Sequence, residues 1–226
     1  MKSSPLHRQM DTKPTHKRIV FCDFDGTITA EETFSEMLAV FATANYQSAA
    51  RQVGNGRITL KEGVRRLVES IPSERYPQVI DYIRDKQLRP GFAELLDFLY
   101  LQRIPFVVIS GGLLDSVTTR LCAYTGRIHA IHAPTVQTDG PNLKLQSRWE
   151  GETETLAKAD VMAAYRYDEA VAIGDGITDR NMAMKADIVF ARDYLAEYMR
   201  SNNRQYIGWN SFFDVIDHLA KRWPAT

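Results

Sequence analysis

Three short apolar runs, each halting at small or acidic residues, constrain the fold of this chain more than any other feature. Residues 18–22 (RIVFC) run into Asp23-Phe24-Asp25-Gly26-Thr27, residues 105–109 (PFVVI) into Ser110-Gly111-Gly112, and residues 170–173 (AVAI) into Gly174-Asp175-Gly176. Apolar, partly β-branched runs without alternation belong to strands covered on both faces, as in parallel sheets. Helical periodicity fills the intervals, over 92–102, 113–125 and 155–165, with a further helix starting near Thr178 before a fourth short run at 188–190. Strands alternating with helices predict an α/β fold built on a doubly wound parallel sheet.

One interval breaks the alternation. Between residues 31 and 86 there is no convincing strand; TFSEMLAVFATANY, LKEGVRRLVESI and PQVIDYIRDK each show helical spacing, separated by Gly54-Asn55-Gly56 and Pro72-Ser73. The predicted organisation is therefore a flexible polar tail over 1–16, an α/β core over 17–30 and 87–226, and a helical insertion over 31–86. Residues 128–149, with Pro134, Gly140 and Pro141, predict short strands and a loop, and 212–223 (FFDVIDHLAKRW) an amphipathic helix packed on the core.

Composition narrows the function classes. The chain is 44% apolar and 25% charged, which excludes disorder, and its 226 residues suffice for one core plus an accessory unit. Its 28 Lys and Arg balance 28 Asp and Glu, leaving no net charge to drive non-specific nucleic-acid binding. Cys22 and Cys122 are too few for a structural zinc site and read as reduced, buried thiols. The amino-terminal stretch lacks a signal peptide's apolar segment, and no run approaches the roughly 20 apolar residues of a membrane span. The expectation is a cytoplasmic protein, monomer or homodimer, whose partner is a small molecule rather than nucleic acid or a membrane.

Ligands of open α/β sheets collect at the carboxyl ends of the strands, which brings Asp23, Asp25, Ser110, Gly111, Asp175 and Asp179 to one rim. Carboxylates gathered there repel one another unless a cation sits among them, and oxygen ligands of this kind suit Mg²⁺ together with phosphate oxygens. Asp23 can attack phosphorus, and Asp25 can protonate the departing oxygen and then deprotonate the hydrolytic water. Ser110 and the amides of Gly111 and Gly112 offer donors to phosphoryl oxygens, and Lys158 a point charge. Each signal alone has a plainer reading: a turn for Asp-x-Asp-Gly, a loop and cap for Ser-Gly-Gly, a helix cap for Asp179, a solvated lysine for Lys158. Their order, each at a strand end or on the expected helix, makes the set specific.

With those motifs, the chain from about residue 18 to 195 resembles the haloacid dehalogenase superfamily of phosphotransferases. The resemblance implies a Rossmann-like core with Asp23 as nucleophile, Asp25 as general acid and base, and Ser110 and Lys158 on the phosphate. It also implies Mg²⁺ held by Asp23, the Asp25 carbonyl and Asp175, supported by Asp179, and a type 1 cap in the helical insertion. Two branches come closest. Gly174-Asp175-Gly176-Ile177-Thr178-Asp179 and Phe190-Ala191-Arg192-Asp193-Tyr194-Leu195 resemble the phosphatases of methionine salvage, which act on a methylthio-bearing enol phosphate. The phosphoserine phosphatase branch shares the cap type and motif order, and Glu32 stands where it keeps a glutamate for the substrate amine, but Thr178 stands where it usually has Asn. Arg57, Arg65 and Arg66 are candidates for a substrate anion, and Phe34, Met37, Phe41 and Val64 for a thioether tail, although a solvated face and cap core are the plainer readings. A catalytically idle binding module is disfavoured by the intact Asp23, Asp25, Lys158 and Asp175.

Overall fold

The computed structural model describes residues 15–224. Six parallel strands form one sheet in the order β3 (Ala130–His132), β2 (Phe106–Ile109), β1 (Thr15–Cys22), β6 (Arg166–Gly174), β7 (Ile188–Ala191) and β8 (Ile207–Gly208). The apolar runs are continuous because both faces are covered. Val20, Cys22, Val108 and Ile173 pack on one side with α5 (Phe92–Leu101) and α10 (Phe212–Arg222). Ile19, Phe21, Val107 and Ala172 pack on the other with α7 (Lys158–Ala163) and α8 (Arg180–Ala183). This is the doubly wound α/β sheet that the sequence predicts.

β1 and β6 reach further than their apolar runs. Thr15 pairs with Arg166 and Arg18 with Glu169, so Thr15 and His16, assigned above to the tail, open the first strand; these positions read as polar because they are partly exposed. The remainder of the expected tail, residues 1–14, lies outside the described residues. Cys22 is buried as expected, but Cys122 is exposed at the end of α6 (Leu114–Arg120), and both thiols are free. Among the described residues no helix is long and apolar enough to cross a membrane.

Four helices separate β1 from α5: α1 (Thr33–Phe41), α2 (Thr43–Gly54), α3 (Leu60–Val68) and α4 (Tyr76–Arg84). The periodicity over 33–46 suggested one helix, yet the chain breaks at Ala42. The Thr43 hydroxyl donates to the carbonyls of Ala39 and Val40, satisfying acceptors that continued helix would have used. α3 starts at a capping box, in which Thr59 accepts from the Glu62 amide and the Glu62 carboxylate accepts from the Thr59 amide. Met37, Leu38, Val68, Ile71 and Val79 give this unit its own apolar cluster. The hairpin of β4 (Thr135–Gln137) and β5 (Lys144–Gln146) completes that cluster with Leu143 and Leu145, and the Leu143 amide donates to Ile71 O at 2.9 Å. Where the helical unit joins the sheet, Thr29 and Leu88 form an antiparallel bridge and the Ala30 amide donates to Gln87 O.

Candidate active site

Sheet order determines which side chains meet. β2, β1 and β6 are neighbours in register, with Cys22 opposite Val108 and Ile173, so the residues that follow them share one edge at the point where strand order reverses. Asp23 leaves β1 with its amide donating to Ile173 O at 2.9 Å, Ser110 leaves β2, and Gly174-Asp175 ends β6. Lys158 opens α7, and Asp179 ends a 3-10 turn over Ile177–Asp179 leading into α8.

The side chains converge in two groups. In the first, the buried Lys158 ammonium donates to Asp23 Oδ1 and, at 2.6 Å, to Asp179 Oδ1. Asp179 Oδ2 accepts the amides of Asp175 (3.0 Å) and Gly176 (2.8 Å), so both of its oxygens are committed to protein donors. Asp175 Oδ1 accepts the Thr27 hydroxyl. Gly26 sits between the acids with φ +77°, and a Cβ there would meet Asp175 Oδ2 at 2.5 Å. One oxygen from each of Asp23, Asp175 and Asp179 lies within 4.8 Å of the others. In the second group, Asp25 Oδ1 accepts the Thr33 hydroxyl and, at 3.0 Å, the Phe34 amide, and its Oδ2 accepts Ser110 Oγ at 3.1 Å. The Gly112 amide donates back to Ser110 Oγ at 2.9 Å, which orients that hydroxyl.

The electrostatics follow from burial. Desolvation, then the charges of Asp179 and Asp175, push the Asp23 carboxyl well above the usual range, with Lys158 opposing. Asp25 is raised by burial against the bonds from Thr33 and Ser110. Burial and Asp179 lift Asp175 to about 6, and burial with the charges of Asp175 and Asp25 lifts Glu32 to about 8. Burial alone would discharge Lys158, but Asp179 and Asp23 hold it above the ordinary lysine value. One ammonium among so many carboxylates leaves an excess of buried negative charge, and the donors are all hard oxygens. The residues therefore fit a divalent cation of the Mg²⁺ or Ca²⁺ type.

Above this rim lies a cavity of about 430 Å³. Asp23, Asp25, Gly111, Glu154 and Asp179 line its core side, Glu32 lines it from the start of α1, and Phe34, Leu38, Tyr46, Val53, Leu60, Val64 and Leu67 line its helical side. Of the residues proposed for a thioether tail, Phe34 and Val64 line it; Met37 is buried among α1–α4 and Phe41 packs edge-on against Tyr82. Arg57, Arg65 and Arg66 do not line it. Arg65 instead bonds Glu69, Glu150 and the Leu145 carbonyl, fastening α3 to the hairpin. Thr33 and Arg89 were not singled out from the sequence, and Thr27, part of the first motif, was given no role there. A short-range pattern does not reveal Arg89, whose partners Gly26, Thr27 and Thr29 lie more than sixty positions away or close to it.

Residues 20–184 match the model of the haloacid dehalogenase-like hydrolase family. The chain belongs to this family. It is 46% identical over 207 residues, covering 91% of this chain and 99% of the relative, to the 2-hydroxy-3-keto-5-methylthiopentenyl-1-phosphate phosphatase of Microcystis aeruginosa strain NIES-843. A protein of the same name from Bacillus cereus strain ATCC 10987 is 30% identical, covering 88% of this chain and 94% of that one. Among solved structures, a phospho-aspartyl intermediate analogue of phosphoserine phosphatase superposes with a TM-score of 0.68 at 18% identity, covering 91% of this chain and 99% of the other. That likeness is one of fold. The haloacid dehalogenase-like hydrolase core thus carries, on the same edge of its sheet, every acid expected from its motifs.

Proposed function

We propose that the chain is a magnesium-dependent phosphatase that hydrolyses 2-hydroxy-3-keto-5-methylthiopentenyl-1-phosphate through an aspartyl-phosphate on Asp23. The observation that carries the substrate choice is the cavity lining: its helical wall is apolar, and it includes no Arg or Lys among the described residues. An uncharged methylthio tail loses little on entering such a wall, whereas the carboxylate of phosphoserine would be desolvated beside Asp25, Glu32 and Glu154 with no cation to meet it. The names of relatives at 46% and 30% identity support the same substrate. One observation favours phosphoserine as a second reading: Glu32 lines the cavity, where a substrate ammonium would find a carboxylate.

In the proposed mechanism Asp23 attacks phosphorus with the carboxylate oxygen not held by Lys158, forming the O–P bond as the ester P–O bond breaks. Asp25, whose burial favours its protonated form, gives its proton to the departing oxygen. The same carboxylate then takes a proton from water, whose oxygen attacks phosphorus, releases inorganic phosphate and regenerates Asp23. The Gly111 amide donates to a phosphoryl oxygen, the Ser110 hydroxyl turns from Asp25 Oδ2 to a second one while the Gly112 amide steadies its Oγ, and Lys158 holds the nucleophile and the charge that gathers on the transferred group. Asp23, Asp175 and the Asp25 carbonyl would hold Mg²⁺; Asp179, with both oxygens engaged by Lys158 and two amides, serves as its support. When bound, the ion supplies positive charge to the phosphoryl oxygens. The helices over 31–86 act as the cap that covers the substrate and excludes water, with the sheet and the helices on its two faces as the catalytic core.

Acid quenching during turnover of the enol phosphate, followed by peptide mass spectrometry, tests this reading. A phosphoryl group on the peptide containing Asp23 supports it, and phosphate release without any labelled Asp23 contradicts it.

A further inference from the structure

Two helices of the cap present the same spacing to the cavity. On α2 the lining residues are Tyr46, Ala49, Ala50, Val53 and Gly54, and on α3 they are Leu60, Gly63, Val64 and Leu67. Tyr46, Ala49, Ala50 and Val53, like the α3 set, fall at i, i+3, i+4 and i+7, one continuous helical face, with Gly54 beside it. Between the larger side chains the lining positions are small, Ala49, Ala50, Gly54 and Gly63, which gives the cavity a slot between the helices.

Gly63 is the informative member. It lies in the interior of α3, where glycine is the poorest helix former after proline, and its φ is not in the left-handed region, so backbone freedom does not explain it. Close approach does: a Cβ at Gly63 would stand 2.5 Å from Val53 Cγ2, nearer than any real carbon contact, while the next neighbour, Ile58 Cδ1, is 3.8 Å away. The Val53 side chain is thus seated on the bare backbone of α3, and both residues line the cavity.

Resting on the function proposed above, we propose that the Val53–Gly63 contact determines specificity by closing the slot and setting the length of apolar tail the enzyme accepts. The preferred substrate class is then a phosphate monoester whose tail is unbranched and uncharged and ends against Val53. Enlarging residue 63 drives the Val53 methyl groups into the slot and shortens the accepted tail. Trimming Val53 lengthens it, and making both changes returns the added methyl to the space just vacated.

The test is kcat/KM for a series of n-alkyl phosphates, ethyl to octyl, with Mg²⁺. The wild type should improve with tail length up to a cut-off and then decline. Val53→Ala should raise kcat/KM for the first ester beyond that cut-off, relative to ethyl phosphate, by about tenfold, the lower end of what one methylene is worth in an apolar pocket. Gly63→Ala should shift the cut-off to shorter esters, and the Val53→Ala/Gly63→Ala double variant, which loses two methyl groups and gains one, should bring the cut-off back from its Val53→Ala position toward that of the wild type. Circular dichroism screens folding; should Gly63→Ala fail to fold, Val53→Ala and the double variant still decide. A cut-off that stays in place in Val53→Ala overturns the role of this contact and leaves the phosphatase reading intact. A wild type indifferent to tail length that hydrolyses phosphoserine overturns both.

Discussion

Replacing Arg89 by Met should loosen the loop that carries Asp23 and Asp25. Arg89 lies between α4 and α5, where the chain returns from the helices to the sheet, is only 8% exposed, and sends its fork back to the stretch after β1: Nε donates to Thr27 O at 2.9 Å, Nη2 to Gly26 O and, at 3.4 Å, to Thr29 O. Its guanidinium also rests over the Trp209 ring, 5.3 Å from the centroid. Methionine keeps part of that packing but leaves three buried carbonyls without their Arg89 donor, at about 1–3 kcal/mol for each that finds no other partner. Allowing for the packing retained, the net cost is about 3 kcal/mol, which for a domain of this size corresponds to a fall in Tm of about 6–12 °C. Catalysis should suffer too, since Gly26 and Thr27 follow Asp25 directly and Thr27 holds Asp175. A displacement of the order of an ångström lowers kcat by about 10–100-fold. Arg89→Lys, whose ammonium reaches fewer carbonyls, should fall between the two. Thermal unfolding by circular dichroism and steady-state phosphate release read both effects. An Arg89→Met protein that melts with the wild type and keeps its kcat would refute the reasoning.

Other consequences are equally open to measurement. Mg²⁺ at about 100 times its Kd should stabilise the protein by about 2.7 kcal/mol, seen as a rise in Tm that chelation reverses and Asp175→Asn abolishes; an unchanged Tm in the wild type counts against the cation site. Lys158→Met leaves Asp23 and Asp179 without their buried partner, so the metal-free variant should lose about 3–5 kcal/mol and recover more on adding Mg²⁺ than the wild type does; calorimetry with and without the ion decides. His132, whose Nε2 lies 2.7 Å from the Tyr165 hydroxyl, is held below the ordinary histidine value by burial and by Arg148. The unfolded chain therefore takes up a proton that the folded one resists, so this contribution to stability is complete above the ordinary histidine pKa of about 6.5 and is lost progressively below it, until pH has fallen through the lowered value of the folded state. Urea midpoints at neutral and acidic pH should converge in His132→Gln, and an unaltered pH dependence would exclude this source.

The parts of the fold visible in the sequence are those decided locally. Strands buried on both faces announce themselves as unbroken apolar runs, and the acids at their ends locate the rim because strand ends and ligand sites coincide in such sheets. The polar starts of β1 and β6 escaped notice since their side chains are partly exposed, and two-residue β8 is too short to show a period. Residues 190–195 also read as a strand-to-helix joint, but the extent of α9 (Asp193–Ser201) was not traced; Asp193 enters it at φ +42°, a conformation that its residue type does not advertise. Thr33 and the Phe34 amide reach Asp25 only because α1 begins where it does. The cavity wall was the least legible part of the site. That Val64 lines the cavity depends on how α2 and α3 approach each other at Val53 and Gly63, and that Met37 does not depends on the packing of α1, neither of which one helix's own periodicity reveals.

The most direct test of the account compares inorganic phosphate release from 2-hydroxy-3-keto-5-methylthiopentenyl-1-phosphate and from phosphoserine, at equal concentration with Mg²⁺, for the wild type and Asp23→Asn. The account predicts a higher kcat/KM for the enol phosphate and loss of release from both esters in Asp23→Asn, with folding retained. A preference for phosphoserine, or an Asp23→Asn protein that still turns over, would contradict it.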